Sequence, residues 1–191
     1  MEDELFGFIE KHMPLSVAEK TTLAGLKIFR KHKKGSILLQ QGQCYTESYF
    51  VLKGCLRSYY IIDGEEKTTE FYTELEGVSP PCVLSKTPSE LYIACVEDSI
   101  ISVSDLEMEA EVFQKFPRFE SLCRILSEQL LAKNQQTFDA YKTSSPEQRY
   151  LNLLKNRPEL LQRVPQHQLA SYLGIKPQSL SRLRSRILKK K

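Results

Sequence analysis

Residues 166–188 read QHQLASYLGIKPQSLSRLRSRIL. Two apolar faces meet there at a single glycine: Leu169, Ala170, Tyr172 and Leu173 come before Gly174, and Leu180, Leu183 and Ile187 after it. Spacings of three and four residues place each set on one side of a helix. Gly174 supplies the positive φ that a short turn between steeply crossed helices needs, and Pro177 suits a first helical position, where no hydrogen bond is lost. The pattern is a helix-turn-helix. On a 3.6-residue period Gln178, Ser181, Arg182 and Ser185 fall opposite the Leu180/Leu183/Ile187 stripe. The second segment carries Arg182, Arg184, Arg186 and Lys189, Lys190 and Lys191 without an acidic residue. A helix of this kind packs by its stripe and presents a basic face, with short side chains that permit close approach, to a DNA groove. An αα-hairpin with a solvated basic end is the plainer reading of the same text.

Working outward, charge divides the chain. Residues 146–191 hold 11 Lys and Arg against 2 Asp and Glu, a balance of +9, and residues 1–145 hold 16 against 22, a balance of −6. The formal net charge of +3 therefore hides a basic module that attracts polyanions by counterion release and an acidic remainder that repels them. The N-terminal text MEDELFGFIEKHM is acidic at its start and lacks a long apolar run, so neither a secretory signal nor a membrane span is expected and the predicted location is cytoplasmic. Cys44, Cys55, Cys82, Cys95 and Cys123 are odd in number and widely spread. They predict no disulfide framework and no metal cluster, and read as small buried hydrophobes.

Leu5, Phe8 and Ile9 mark a short helix, and Ser16 with Glu19 forms a capping box for a second one ending near Gly25. From about Ile28 the texture becomes short β-branched and aromatic runs between glycine turns: 36–39, 49–52, 56–62, 68–72, 91–96 and 99–103. Asp63-Gly64 is a hairpin signal, and the spacing predicts an antiparallel roll or sandwich. Residues 74–88 contain three prolines and predict a loop rather than a strand. Ser104 and Glu107 suggest a capping box for a helix broken at Pro117. A glycine-free and proline-free helix then runs to about Lys142, with Phe119, Leu122, Leu126, Leu130 and, further on, Phe138 and Tyr141 near heptad spacing. So long a helix on a small roll predicts a homodimer seam at Phe119, Leu122, Leu126 and Leu130, the alternative being a helix that only covers the roll. Ser145, Pro146 and Gln148 start the next helix, Asn156-Arg157-Pro158 ends it, and residues 144–191 form three or four helices.

The order roll, long helix, helix-turn-helix resembles the Crp-Fnr family of bacterial transcription regulators across nearly the whole chain. The roll text KKGSILLQQGQ followed by SYFVLKGCLRSYYIIDGEEKTTEFY and the domain text SSPEQRYLNLL followed by RVPQHQLASYLGIKPQSLSRLRSRI carry the resemblance. It implies an α+β chain of three parts: a cyclic-nucleotide-binding-like β-roll over 1–116, a dimerisation helix over 117–143 and a DNA-binding domain over 144–191. Many members read bases with a Glu-x-x-Ser-Arg signature. The matching residues are Gln178, Ser181 and Arg182, with Arg182 suited to guanine and Gln178, in place of glutamate, to adenine. Gln166, Lys176, Ser179, Arg184, Ser185 and the lysines 189–191 are expected to contact the DNA backbone. Members usually follow the recognition helix with a β-hairpin wing; here the basic tail stands in its place.

The resemblance further implies double-stranded DNA, a second copy of the chain and RNA polymerase as partners. Cyclic-nucleotide binders carry a Gly-Glu motif and an Arg-Ser/Thr-Ala cassette after the hairpin. Residues 74–91 hold no arginine, and Glu74, Glu76 and Glu90 with only Lys86 repel a phosphodiester. A cyclic nucleotide is therefore not expected as effector, no cofactor or metal is assigned, and His12, His32 and His167 are poor haem ligands. In mechanism, paired central helices would set two recognition helices about one DNA turn (~34 Å) apart, with a hinge at residues 143–145 carrying any signal. Two other functions compete: a ligand-sensing roll acting on a protein partner without DNA, and a cupin-like enzyme. The enzyme reading lacks paired histidines on any strand, a phosphate loop and a nucleophile beside a base.

Overall fold

The computed structural model describes residues 2–188, the last by its backbone only, so the tail contacts expected of Lys189, Lys190 and Lys191 lie outside the described residues. The chain divides into two compact units. The first comprises residues up to 57 together with 71–130, the second 58–70 together with 131 onward.

The first unit opens with α1 (Glu2–Glu10) and α2 (Val17–Gly25). Ser16 caps α2 as its text predicts: its Oγ accepts the Glu19 N–H at 3.3 Å, while Glu19 Oε2 accepts both the Ser16 N–H and its hydroxyl at 2.7 Å. Those two bonds from Ser16, with Arg118 beyond them, hold the Glu19 carboxyl below its ordinary range. A lowered folded-state pKa stabilises the protein above the unfolded value and is lost as pH falls through the folded one. Stability should therefore decline below about pH 4.5. Ser16→Ala is expected to cost about 1 kcal/mol at pH 7 and to flatten that acid decline. Denaturant unfolding at pH 7 and in acid checks both.

Among the described residues eight strands follow: β1 (Phe29–His32), β2 (Ile37–Leu39), β3 (Glu47–Lys53), β4 (Leu56–Ile62), β5 (Glu65–Tyr72), β6 (Gly77–Val78), β7 (Tyr92–Cys95) and β8 (Ser99–Asp105). They form two four-stranded sheets, β1-β8-β3-β6 and β2-β7-β4-β5. Neighbours pair antiparallel, with Arg30 opposite Ile101 and Tyr49 opposite both Val103 and Val78. Leu38, Leu39, Ile93, Cys95 and Leu56 of one sheet meet Tyr49, Val51, Ile101 and Val103 of the other in a filled core. The predicted roll is therefore present. Asp63 (φ 53) and Gly64 (φ 77) make the two-residue turn of the β4–β5 hairpin, both in the left-handed region that such turns require.

Three expectations change. The segment read as a loop over 74–88 contains strand β6 and a short helix, α3 (Pro81–Ser85), because Pro81 stands at a first-turn position and Lys86 closes the helix in left-handed conformation. The cap of α4 (Leu106–Lys115) is Asp105, not Ser104. Asp105 accepts the Met108 N–H at 2.8 Å, and Ser104, still in β8, donates to Glu109 instead. Of the five free cysteines, Cys55, Cys82 and Cys95 are buried as expected, whereas Cys44 and Cys123 are exposed.

The long helix α5 (Arg118–Thr143) follows the break at Pro117. At ~1.5 Å per residue it is roughly 39 Å long. Its first turns close a second core of the first unit, where Phe119 and Leu122 pack with Ile9, Leu23 and Val112 of α1, α2 and α4.

Candidate nucleic-acid interface

In the second unit the predicted helices appear in order: α6 (Pro146–Asn156), α7 (Leu160–Arg163), α8 (Gln166–Tyr172) and α9 (Pro177–Leu188). Ser145 caps α6 through a reciprocal pair with Gln148, the two bonds measuring 3.3 and 2.8 Å. Leu169, Ala170 and Leu173 of α8 and Leu180 and Leu183 of α9 are buried, joined by Tyr150, Leu153, Leu160 and Val164. Tyr172 and Ile187 are half-buried at the rim of these stripes.

The turn between α8 and α9 is set by hydrogen bonds that need Gly174. Ile175 N–H donates to the Ala170 carbonyl and Gly174 N–H to the Ser171 carbonyl, both at 2.9 Å, with Gly174 at φ 68. These two bonds satisfy carbonyls that the end of α8 would leave bare. A side chain at 174 would place its Cβ 2.4 Å from the Tyr141 hydroxyl of α5. The Arg149 guanidinium lies 4.3 Å from the Tyr141 ring centre, and its Nη1 donates to the Tyr141 carbonyl at 3.3 Å. Tyr141 thus lies under the turn and joins the second half of α5 to the helix-turn-helix.

α9 begins where the Lys176 carbonyl accepts the Leu180 N–H. Its buried side is Leu180 and Leu183, and Gln178, Ser179, Ser181, Arg182 and Ser185 are exposed. Lys176 and Gln166 are exposed at the two ends of the turn-and-helix surface, and Arg184 is half-buried. Ser185 donates its hydroxyl proton to the Ser181 carbonyl at 3.1 Å, so in this structure it offers an outside partner only acceptor positions. Arg186 pairs with Glu147 of α6 and is turned toward that helix. Among the described residues no carboxylate pairs with Arg182 or Arg184, so α9 keeps two uncompensated cations beside its short serines, whereas Lys176, in the turn before it, feels the charge of Glu65. That combination suits a phosphate-lined groove.

Sequence reasoning missed a cluster on the other side of α8. Ser171 and Tyr172 meet β5: Ser171 Oγ accepts the Thr68 N–H and donates to the Glu66 carbonyl, both at 2.9 Å, and Arg157 Nη1 donates to Glu70 Oε1 at 3.0 Å. Burial first, and then Glu70, push the Tyr172 phenol well above its ordinary range. A separation of 103 residues between Thr68 and Ser171 leaves no local signal for this contact. Among the described residues no cluster of His, Cys, Asp or Glu could hold a metal ion, and no helix is long and apolar enough to cross a membrane.

No protein-family model and no curated protein matches the chain. Solved structures do. CooA from Carboxydothermus hydrogenoformans superposes with a TM-score of 0.66 at 19% identity, over 87% of this chain and 79% of that one. FixK2 from Bradyrhizobium japonicum gives 0.68 at 14% identity, over 85% and 84%. CLP, the c-di-GMP responsive global regulator of Xanthomonas campestris, gives 0.68 at 14% identity, over 92% and 93%. All three are Crp-Fnr regulators. The chain has the Crp-Fnr fold. At these identities the likeness is one of fold, and it agrees with the α+β order of roll, long helix and helical C-terminal part read from the sequence.

Within this Crp-Fnr fold the four residues expected to form a dimer seam separate. Phe119 and Leu122 are 5% and 7% exposed, covered by α1, α2 and α4 of their own chain, and Leu126 packs on the same cluster, so these three are not a free seam. Their heptad spacing is the signature of burial within the chain. Leu130 alone of the four is exposed, and Leu131, Phe138 and Tyr141 are exposed beyond it. At ~100° per residue these four fall within about 100° of the helix circumference.

Proposed function

We propose that the chain is a homodimeric, sequence-specific DNA-binding transcription regulator, located in the cytoplasm and acting with RNA polymerase. One observation carries the reading: on a helix-turn-helix within a Crp-Fnr fold, α9 buries Leu180 and Leu183 and exposes Gln178, Ser181 and Arg182 on its opposite face. Arg182 reads guanine by two parallel bonds and Gln178 reads adenine in the same way. Lys176, Gln166, Ser179 and Arg184 hold phosphates, as do the lysines of the tail. Dimerisation falls to the exposed apolar stripe of α5, from Leu130 to Tyr141, against the same stripe of a second copy. Catalysis has no place in this account, and any effector that the roll senses is not a cyclic nucleotide. The carboxylates of Glu74 and Glu76 accept bonds from Gly54 and Thr73 and so put negative charge in the segment that the resemblance matches to the phosphate-binding cassette, which needs a cation.

Arg182→Ala tests the base-reading role. Loss of a bidentate guanine contact should cost about 1–3 kcal/mol on a selected duplex and relax the preference at one position of each half-site. The same variant should leave the dimer unchanged in sedimentation. Fluorescence anisotropy with the selected duplex and with a scrambled one measures it; equal affinity of variant and parent for the selected duplex would remove Arg182 from the base-reading set.

A further inference from the structure

β5 is the outer strand of its sheet, so its outward N–H and C=O groups lack a neighbouring strand. Ser171 occupies that place. Its single hydroxyl accepts from Thr68 and donates to Glu66, the two bonds that an added strand residue would make. Further along the same edge, Arg157 and Tyr172 close on the Glu70 carboxylate. The β4–β5 hairpin is thereby fastened to α8 at two points, both inside the second unit.

Fastening brings the acidic end of the hairpin beside the helix-turn-helix. The exposed acids Asp63, Glu65 and Glu66 sit on the hairpin near its tip. Lys67 pairs with Glu65, and the charge of Lys176, in the turn before α9, adds to the pull that holds the Glu65 carboxyl low. Lys176 is one of the residues assigned above to a DNA phosphate. A phosphate approaching it in this arrangement meets the field of the Glu65 carboxylate, and like charges repel.

We propose that the β4–β5 hairpin is an intramolecular clasp that holds the helix-turn-helix in a low-affinity state and releases Ser171 when duplex DNA binds tightly. The proposal rests on the DNA-binding reading of α9. It has the form of a two-state equilibrium in which the apparent affinity is the intrinsic affinity multiplied by the unclasped fraction. A partner or effector that captures the free hairpin edge would then act as an activator of DNA binding.

Ser171→Ala deletes both bonds without changing charge and puts a good helix former in α8. Titrated with a labelled random-sequence duplex at fixed salt, the full-length variant should bind about tenfold more tightly than the parent. Ser171→Thr, which keeps the hydroxyl, should stay near the parent. Independently of any variant, the Thr68 amide of the parent should exchange its hydrogen faster when the duplex is added. Unchanged affinity in Ser171→Ala, or Thr68 protection that persists at saturating duplex, would overturn the clasp while leaving DNA binding in place. Tight binding by Ser171→Ala where the parent binds weakly supports both readings, and no binding by any of the three proteins removes the DNA-binding reading and the clasp with it.

Discussion

Gly54→Ala should unfold the roll, or destabilise it by at least about 3 kcal/mol. Gly54 joins β3 to β4 at φ 105, a conformation that L side chains rarely adopt. A Cβ there would lie 2.3 Å from Ser99 Oγ and 2.7 Å from Ser99 Cα, and Ser99 is itself 2% exposed in β8. The hydroxyl could rotate away, but the Cα belongs to a strand paired on both sides and cannot. Gly54 N–H also donates to Glu74 Oε1 at 2.9 Å, so a shift at 54 loosens the 74–76 loop as well. Gly35, Gly42 and Gly64 share a positive φ but have open space around their missing Cβ. Alanine at any of those three should cost only the conformational part, about 1 kcal/mol. Denaturant unfolding of Gly54→Ala beside Gly64→Ala measures the difference; equal losses would mean that β8 yields more easily than its pairing implies.

Leu180→Ala should cost about 2–5 kcal/mol, concentrated in the second unit, and should abolish DNA binding at temperatures where that unit melts. Leu180 is 1% exposed, more deeply buried than Leu183, in a helix that packs on α8, so its truncation leaves a cavity in the core beneath the reading face. The roll has its own filled core, built from residues outside this unit. Hydrogen exchange should therefore show faster opening in α8 and α9 with protection of β3 and β8 retained. A loss below about 1 kcal/mol would show that the site collapses around the smaller residue.

The helix-turn-helix was legible because every requirement is local: the stripes, Gly174 and Pro177 all lie between Leu169 and Ile187. The Asp63-Gly64 hairpin and the Ser16 and Ser145 caps were legible for the same reason, each depending on residues three or fewer apart. Periodicity failed where it had to name a partner. Phe119 and Leu122 repeat at a spacing that fits a coiled coil, but spacing does not say whether the covering helix belongs to another copy or, as found, to the same chain. β6 escaped because two residues carry no period, and α3 because prolines that break a strand also start a helix. Ser171 escaped because a serine in the last turn of a helix has no apolar pattern to disturb, and its partner strand lies about half the chain away.

The central claim is that α9 reads a symmetric DNA site as part of a dimer. Selection of random duplex DNA on the purified protein, with the bound sequences determined, tests it most directly. The account predicts a two-fold symmetric motif with half-sites about one helical turn apart, each holding a guanine whose preference disappears in Arg182→Ala. Bound sequences with no shared motif, or a motif left unchanged by Arg182→Ala, would contradict it.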